Sequence, residues 1–231
     1  CFILNSFSYI AVLIMLWFMR VDELHVFPSV PTIKGQLREG FRYVLKTPSL
    51  RNVLLIVVFV GTFSYEFQVS LPLFAEFTFH DTVNGYALLL AAMGIGAIFG
   101  GLFSASRRNA TLRLLHVSLF LFGGSMIGAA FMPTLYLAIL ALVVVGIFSV
   151  SFISIANTIL QVECTPSMRG RVMSLWTVAF LGSTPIGGPI IGWIGEHLGA
   201  RYGLIVGGVV AIVVAVFGII GIMKTKIAKS R

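Results

Sequence analysis

The chain has 231 residues, 58% of them hydrophobic and 10% charged, with a formal net charge of +8. Soluble domains hold roughly 45–50% apolar and about 25% charged residues, so too little polar surface remains for a water-facing globule, and an all-α polytopic membrane protein is expected. The sixteen Lys and Arg residues fall between apolar runs instead of forming one stripe, which fits membrane loops and excludes nucleic acid as the expected partner.

An apolar helix needs about 20 residues to cross about 30 Å of hydrocarbon. Seven segments reach or approach that length: 1–19, 51–73, 84–104, 112–132, 134–161, 171–194 and 202–223. The first residues already lie in an apolar run with neither a basic start nor a small-residue cleavage site. The expectation is therefore the end of a helix from a longer protein, not a signal peptide. Lys and Arg in short loops are retained on the cytoplasmic side. With residue 20 inside, fifteen of the sixteen basic residues are cytoplasmic and only Arg201 is outside. This places the C-terminus in the cytoplasm and sets Cys1 and Cys164 on opposite faces, where no disulfide can join them.

Residues 20–50 form the one long loop. Within it, residues 32–46 read as an amphipathic helix lying along the membrane. Ile33, Leu37, Phe41, Val44 and Leu45 recur on one face, while Lys34, Arg38, Arg42 and Lys46 reach toward headgroups or water.

The span 51–73 carries the one acid inside an apolar run, Glu66. About 15 residues at 1.5 Å each put it about 22 Å from the cytoplasmic end, in the outer third of the bilayer. Thr62 and Tyr65 share its helical face, Gln68 flanks it, and Pro72 follows. An ionisable group at that depth faces a cavity or a partner. It serves substrate contact or proton transfer, or it is a satisfied carboxylate near the outer mouth.

In the span 84–104, Gly96 and Gly100 form a small-xxx-small face suited to close helix packing. No strand precedes these glycines, which argues against a nucleotide loop. The span 112–132 is sparingly polar, with His116 expected at the interface. In the span 134–161, Ser151, Ser154, Asn157, Thr158 and Gln161 recur at steps of three and four. Such a stripe either bonds across helices or lines water.

His25, His80, His116 and His197 lie in separate loops or helix ends, and no Cys cluster or Ser-His-Asp grouping accompanies them. Neither metal, other cofactor nor enzymatic activity is expected.

The last motif is Thr165-Pro-Ser-Met-Arg169-Gly-Arg171-Val-Met-Ser174, followed by an apolar run with Pro185, Gly187, Gly188, Pro189 and Gly192. Each proline inside a helix removes a backbone donor, at about 3 kcal/mol in water. Between membrane helices, neighbours and hydroxyls such as Ser183 and Thr184 re-satisfy the freed carbonyls. Bending or close packing is expected there.

Two stretches together resemble the C-terminal half of a major facilitator superfamily transporter. Glu39-Gly-Phe-Arg-Tyr-Val-Leu-Lys-Thr-Pro-Ser-Leu-Arg51 resembles the junction before the family's seventh helix, and Arg169–Ser174 with Pro185–Pro189 resembles its ten–eleven loop and eleventh helix. They look most like the branch of enterobactin exporters and macrolide or multidrug efflux proteins. Gly101–Arg108 departs from the family's basic motif in lacking an acid.

The resemblance implies that residues 1–19 end family helix six, 20–50 form the middle loop, 51–223 make a six-helix bundle and 224–231 a basic cytoplasmic tail. It further implies a secondary transporter of the bacterial inner membrane, driven by protons and exporting siderophores or amphipathic drugs. Its partners are the lipid bilayer, the small-molecule substrate, protons and the N-terminal half. Thr62, Tyr65, Glu66, Gln68, Ser154, Asn157, Thr158 and Gln161 become substrate or coupling candidates. Arg169 and Arg171 become a cytoplasmic gate or anchor, and Gly96, Gly100, Pro185, Gly188 and Pro189 positions of packing or hinge. Two alternatives stand beside this: the coupling acids lie in the N-terminal half, or the fold serves as a non-transporting membrane scaffold or sensor.

Overall fold

The computed structural model describes residues 2–19, 36–81, 83–107 and 110–229. Cys1, residues 20–35 with Ile33 and Lys34, Arg108, and the last two residues of the expected basic tail lie outside them. Ten α-helices are described: α1 Phe2–Trp17, α2 Gln36–Lys46, α3 Pro48–Ser64, α4 Phe67–Phe79, α5 Val83–Ala105, α6 Leu112–Ala130, α7 Leu135–Glu163, α8 Arg169–Leu181, α9 Thr184–His197 and α10 Ala200–Lys229. Residues 1–34 form one unit and residues 35–231 another. In the first, α1 has 16 residues, and its described side chains, from Phe7 through Trp17, are all exposed. A helix that is apolar all round is suited to lipid.

The second unit is a helical bundle. Among the described residues, six stretches are able to cross a membrane by length and composition, with Pro48–Phe79 and Pro166–His197 each counted once despite an internal break. Three boundaries differ from the sequence expectation. The span 51–73 is interrupted after Ser64 and runs on to Phe79, the span 171–194 is interrupted between Leu181 and Thr184, and α10 continues through Lys229. The hydroxyl of Thr111 accepts from the Leu114 N–H at 3.2 Å and starts α6, and Thr134 does the same for α7.

Glycine brings the helices together. A Cβ on Gly96 or Gly100 of α5 would overlap the carbonyl of Val143 or Ile147 on α7, and one on Gly146 would overlap the Met93 carbonyl in return. Backbone thus meets backbone along the α5–α7 crossing, where dispersion substitutes for the missing hydrophobic drive. Ser151 donates to the Ile147 carbonyl at 2.7 Å and lies 3.3 Å from that of Gly100. Gly123 and Gly208 join α6 to α10 in the same manner.

His116, near the start of α6, is buried in the bundle. It is 3% exposed, its Nδ1 lies 2.6 Å from the Leu112 carbonyl, and its ring occupies the space that a side chain at Gly218 would need. The space comes from a glycine on α10, which the local pattern around His116 does not reveal.

Candidate functional site

Two helix breaks lie against each other. At the first, Tyr65 (φ −105°, ψ 13°) and Glu66 (φ −82°, ψ 44°) leave the helical path between α3 and α4, and the Glu66 carbonyl accepts the N–H groups of Val69 and Ser70 that begin α4. No glycine or proline occupies the break. Instead the two side chains diverge: the Tyr65 hydroxyl donates to the Ser149 carbonyl of α7 at 2.8 Å, whereas Glu66 turns to α9.

At the second break α8 ends at Leu181, four residues before Pro185. This is where a proline ring collides with a helical carbonyl. Pro185 itself sits in the first turn of α9, where its missing donor costs nothing, and Pro189 lies inside that helix. Ser183 is buried between the two helices and donates to the Phe180 carbonyl at 3.0 Å.

The breaks touch through glycine. A Cβ on Gly187 would overlap the Thr62 carbonyl and stand 2.9 Å from Glu66 Oε1, one on Gly188 would stand 3.5 Å from Oε2, and one on Gly61 would stand 3.1 Å from the Ser183 hydroxyl. The Glu66 carboxylate, 4% exposed, therefore straddles the first turn of α9. Oε1 has no partner, and no cation pairs with the carboxylate among the described residues.

The structure separates residues that the sequence places on one face. The break sends Tyr65 into an aromatic cluster with Phe122 at 5.3 Å, Phe152 at 6.5 Å and Phe180 at 4.9 Å between ring centroids. The Thr62 hydroxyl donates to the Val58 carbonyl at 2.7 Å within its own helix, and Gln68 is exposed.

On α7, Ser154 and Asn157 are half-buried while Thr158 and Gln161 are exposed. The Gln161 amide donates to Asn157 Oδ1, and the Thr158 hydroxyl to the Ser154 carbonyl at 2.7 Å. Those bonds stay within the helix, whereas Ser151 at the other end of the stripe also reaches the Gly100 carbonyl of α5. The stripe is not gathered with Glu66. The Tyr65 contact at Ser149 lies eight residues from Asn157, about 12 Å along the axis.

Arg171 pairs with Glu39 of α2 at 2.7 Å and packs its Cβ against Gly40. Arg169 is exposed. The Tyr43 hydroxyl accepts the Thr165 N–H at 3.3 Å, and the Ser49 hydroxyl donates to the Glu163 carboxylate. These contacts clamp α2 over the turn between α7 and α8. Val44 is buried beneath it while Phe41 and Leu45 are exposed, so the expected single apolar face of α2 is divided. A separate groove of about 910 Å³ between α3, α6 and α10, lined by Asn52, Phe59, His116, Val213 and Phe217, holds none of the expected site residues.

A family model described as transmembrane secretion effector matches residues 1–229. The chain belongs to this family, a branch of the major facilitator superfamily. Among curated relatives, the multidrug efflux pump Tap of Mycolicibacterium fortuitum is 31% identical over 168 residues, covering 69% of this chain and 40% of the relative. The enterobactin exporter EntS of Escherichia coli O1:K1 is 25% identical over 189 residues, covering 78% of this chain and 45% of the relative. The chain spans less than half the length of these relatives.

Sequence reasoning singles out Glu66, Pro185, Gly188 and Pro189 but misses Gly187 as the residue whose backbone lies against the acid. Gly188, Gly192 and Gly195 form a small stripe on α9 that meets Val69 and Leu73 of α4. That spacing is the available signal that a helix approaches there.

Proposed function

We propose that this chain is the C-terminal half of a proton-driven exporter of amphipathic small molecules, siderophores or drugs, in a bacterial inner membrane with its C-terminus cytoplasmic. The observation that carries the reading is Glu66: a buried carboxylate, one oxygen unpartnered, where two interrupted helices meet. An ionised acid in such surroundings costs several kcal/mol, of order 2–3 or more, and is favoured only where it takes up a proton or meets a partner. Interrupted helices at ion and substrate sites are a recurring device of secondary transporters. The relatives named as a multidrug efflux pump and an enterobactin exporter support the direction and the substrate class.

In this reading the half rocks against its N-terminal counterpart about a midplane site. Glu66 carries the proton, and Asn157, Thr158 and Gln161 of the α7 stripe line the substrate path. Arg171, held by Glu39, anchors the middle-loop helix to the cytoplasmic end of α8. The bilayer, the substrate, protons and the other half are the partners.

The test is efflux of a fluorescent amphipathic dye from cells making the full-length protein, wild type beside Glu66→Gln, with and without a protonophore. Protonophore-sensitive efflux that the substitution abolishes at equal membrane abundance supports the reading. Efflux unchanged by the substitution refutes the role of Glu66.

A further inference from the structure

The groove between α3, α6 and α10 is polar at one end and apolar along the rest. On α3 its lining runs from Pro48 to Phe63, about 22 Å at 1.5 Å per residue, against about 15 Å for the hydrocarbon of one leaflet. Phe59 and Phe217 stand among its apolar walls. Just beyond Phe63 the Ser64 hydroxyl donates to the Gly207 carbonyl at 2.7 Å and joins α3 to α10.

The other end is a mouth of positive character. Two helices begin there, α3 of 17 residues at Pro48 and α6 of 19 residues at Leu112, and both first turns contribute to the lining. Each helix start carries about half a positive charge. The Thr47 hydroxyl is spent on the Tyr43 carbonyl at 3.1 Å, so α3 has no side-chain cap. Arg51 and Arg113, exposed in those same turns, add two full charges. Glu163 of α7 also reaches this end, where the Ser49 hydroxyl engages its carboxylate, and the balance of charge stays positive.

His116 supplies the independent sign of a ligand. It lines the groove one turn in from Leu112 and is 3% exposed. A carbonyl can only accept, so Nδ1 donates to that of Leu112, at 2.6 Å, and Nε2 of the neutral ring is left as an acceptor. Nε2 lies against Gly218, another lining residue, and has no hydrogen-bond partner among the described residues. A buried acceptor without a donor is costly, and a ligand hydroxyl at this depth removes the cost.

We propose that the groove binds a lysophospholipid: its phosphate at the mouth, its free glycerol hydroxyl one turn deeper on His116 Nε2, and its single acyl chain along the apolar walls. The order of polar groups selects this amphiphile. A diacyl phospholipid has an ester where the hydroxyl would be and offers His116 no donor. Chain burial adds little selectivity, because the surrounding lipid tails are as apolar as the walls, so the headgroup sets the affinity. With the orientation proposed above, the mouth opens on the cytoplasmic leaflet.

The experiment is native mass spectrometry of the full-length protein in detergent. The probes are oleoyl lysophosphatidic acid, its analogue lacking the hydroxyl, oleoyl lysophosphatidylcholine, dioleoyl phosphatidic acid and glycerol phosphate. Lysophosphatidic acid is expected to bind about tenfold more tightly than lysophosphatidylcholine, from the charge pairs and helix ends, and Arg51→Gln with Arg113→Gln removes the difference. Loss of the ligand hydroxyl weakens binding about three- to tenfold, the worth of one hydrogen bond, in wild type but not in His116→Phe. Val213→Trp fills the groove and weakens every chain-bearing probe. Unchanged lysophosphatidic acid binding in Val213→Trp overturns the groove as the site. Equal binding of the analogue without hydroxyl to wild type, a comparison that leaves the fold untouched, overturns the role of His116 and the single-chain assignment, as does tighter binding of dioleoyl phosphatidic acid. Glycerol phosphate binding as tightly as the lipid assigns the mouth to a free phosphate ester and overturns the lipid. None of these measurements uses transport, so their failure leaves the exporter reading intact.

Discussion

Gly187→Ala and Gly188→Ala are adjacent substitutions of the same chemistry with opposite expected outcomes. At Gly187 the new methyl overlaps the Thr62 carbonyl, a backbone atom that cannot swing aside, and crowds Glu66 Oε1 at 2.9 Å. At Gly188 the nearest atom is Glu66 Oε2 at 3.5 Å, an ordinary contact. Both changes gain about 1 kcal/mol of helix propensity, but forcing a methyl into a filled contact costs about 1–3 kcal/mol. Overlap with a backbone carbonyl lies in the upper part of that range, so Gly187→Ala is expected to be about 1–2 kcal/mol destabilising, and Gly188→Ala neutral or stabilising by up to about 1 kcal/mol. In a domain of 150–250 residues each kcal/mol is about 2–4 °C in Tm, so the pair differs by about 2–12 °C with Gly187→Ala the lower. The assay is thermal unfolding of the purified full-length protein in detergent, followed by tryptophan fluorescence, with dye efflux measured in parallel. Equal Tm values for the two variants, or a lower one for Gly188→Ala, would refute the contact between the breaks.

Two further outcomes are expected. Gly218→Ala places a methyl in the His116 ring and destabilises by about 1–3 kcal/mol; His116→Ala in the same chain recovers part of that loss, and a double-mutant cycle in thermal unfolding reads the coupling. Asn157→Leu with Gln161→Leu removes side chains that bond only to each other, so Tm stays within about 2 °C while dye efflux falls at least about tenfold. Preserved efflux in that variant would take the α7 stripe out of the substrate path.

What the sequence shows of this architecture is what local spacing encodes. Long apolar runs separated by basic turns give the spans, and glycines four apart on α5 and α9 mark small faces, because both features lie within a few turns of one helix. The interruption at Leu181 follows from Pro185 by the geometry of the proline ring. The interruption at Tyr65 and Glu66 does not, since no residue there breaks a helix by itself. There the side chains part, Tyr65 to the Ser149 carbonyl on α7 and Glu66 to Gly187 and Gly188 on α9. The position of His116 likewise depends on a glycine more than 100 residues onward. Pairings of that kind are properties of the packed bundle. Glu66 was visible as a lone acid; its surroundings became visible once α9 lay against it.

The central claim is that Glu66 couples proton movement to export. It is tested most directly by reconstituting the full-length protein in liposomes and comparing dye transport driven by an imposed pH gradient with dye exchange at equal pH, for wild type and Glu66→Gln. The expected result is exchange retained and gradient-driven accumulation lost in the variant, because substrate still crosses but no proton is carried with the cycle. Accumulation by Glu66→Gln at the wild-type rate would contradict the claim and place the coupling acid elsewhere in the transporter.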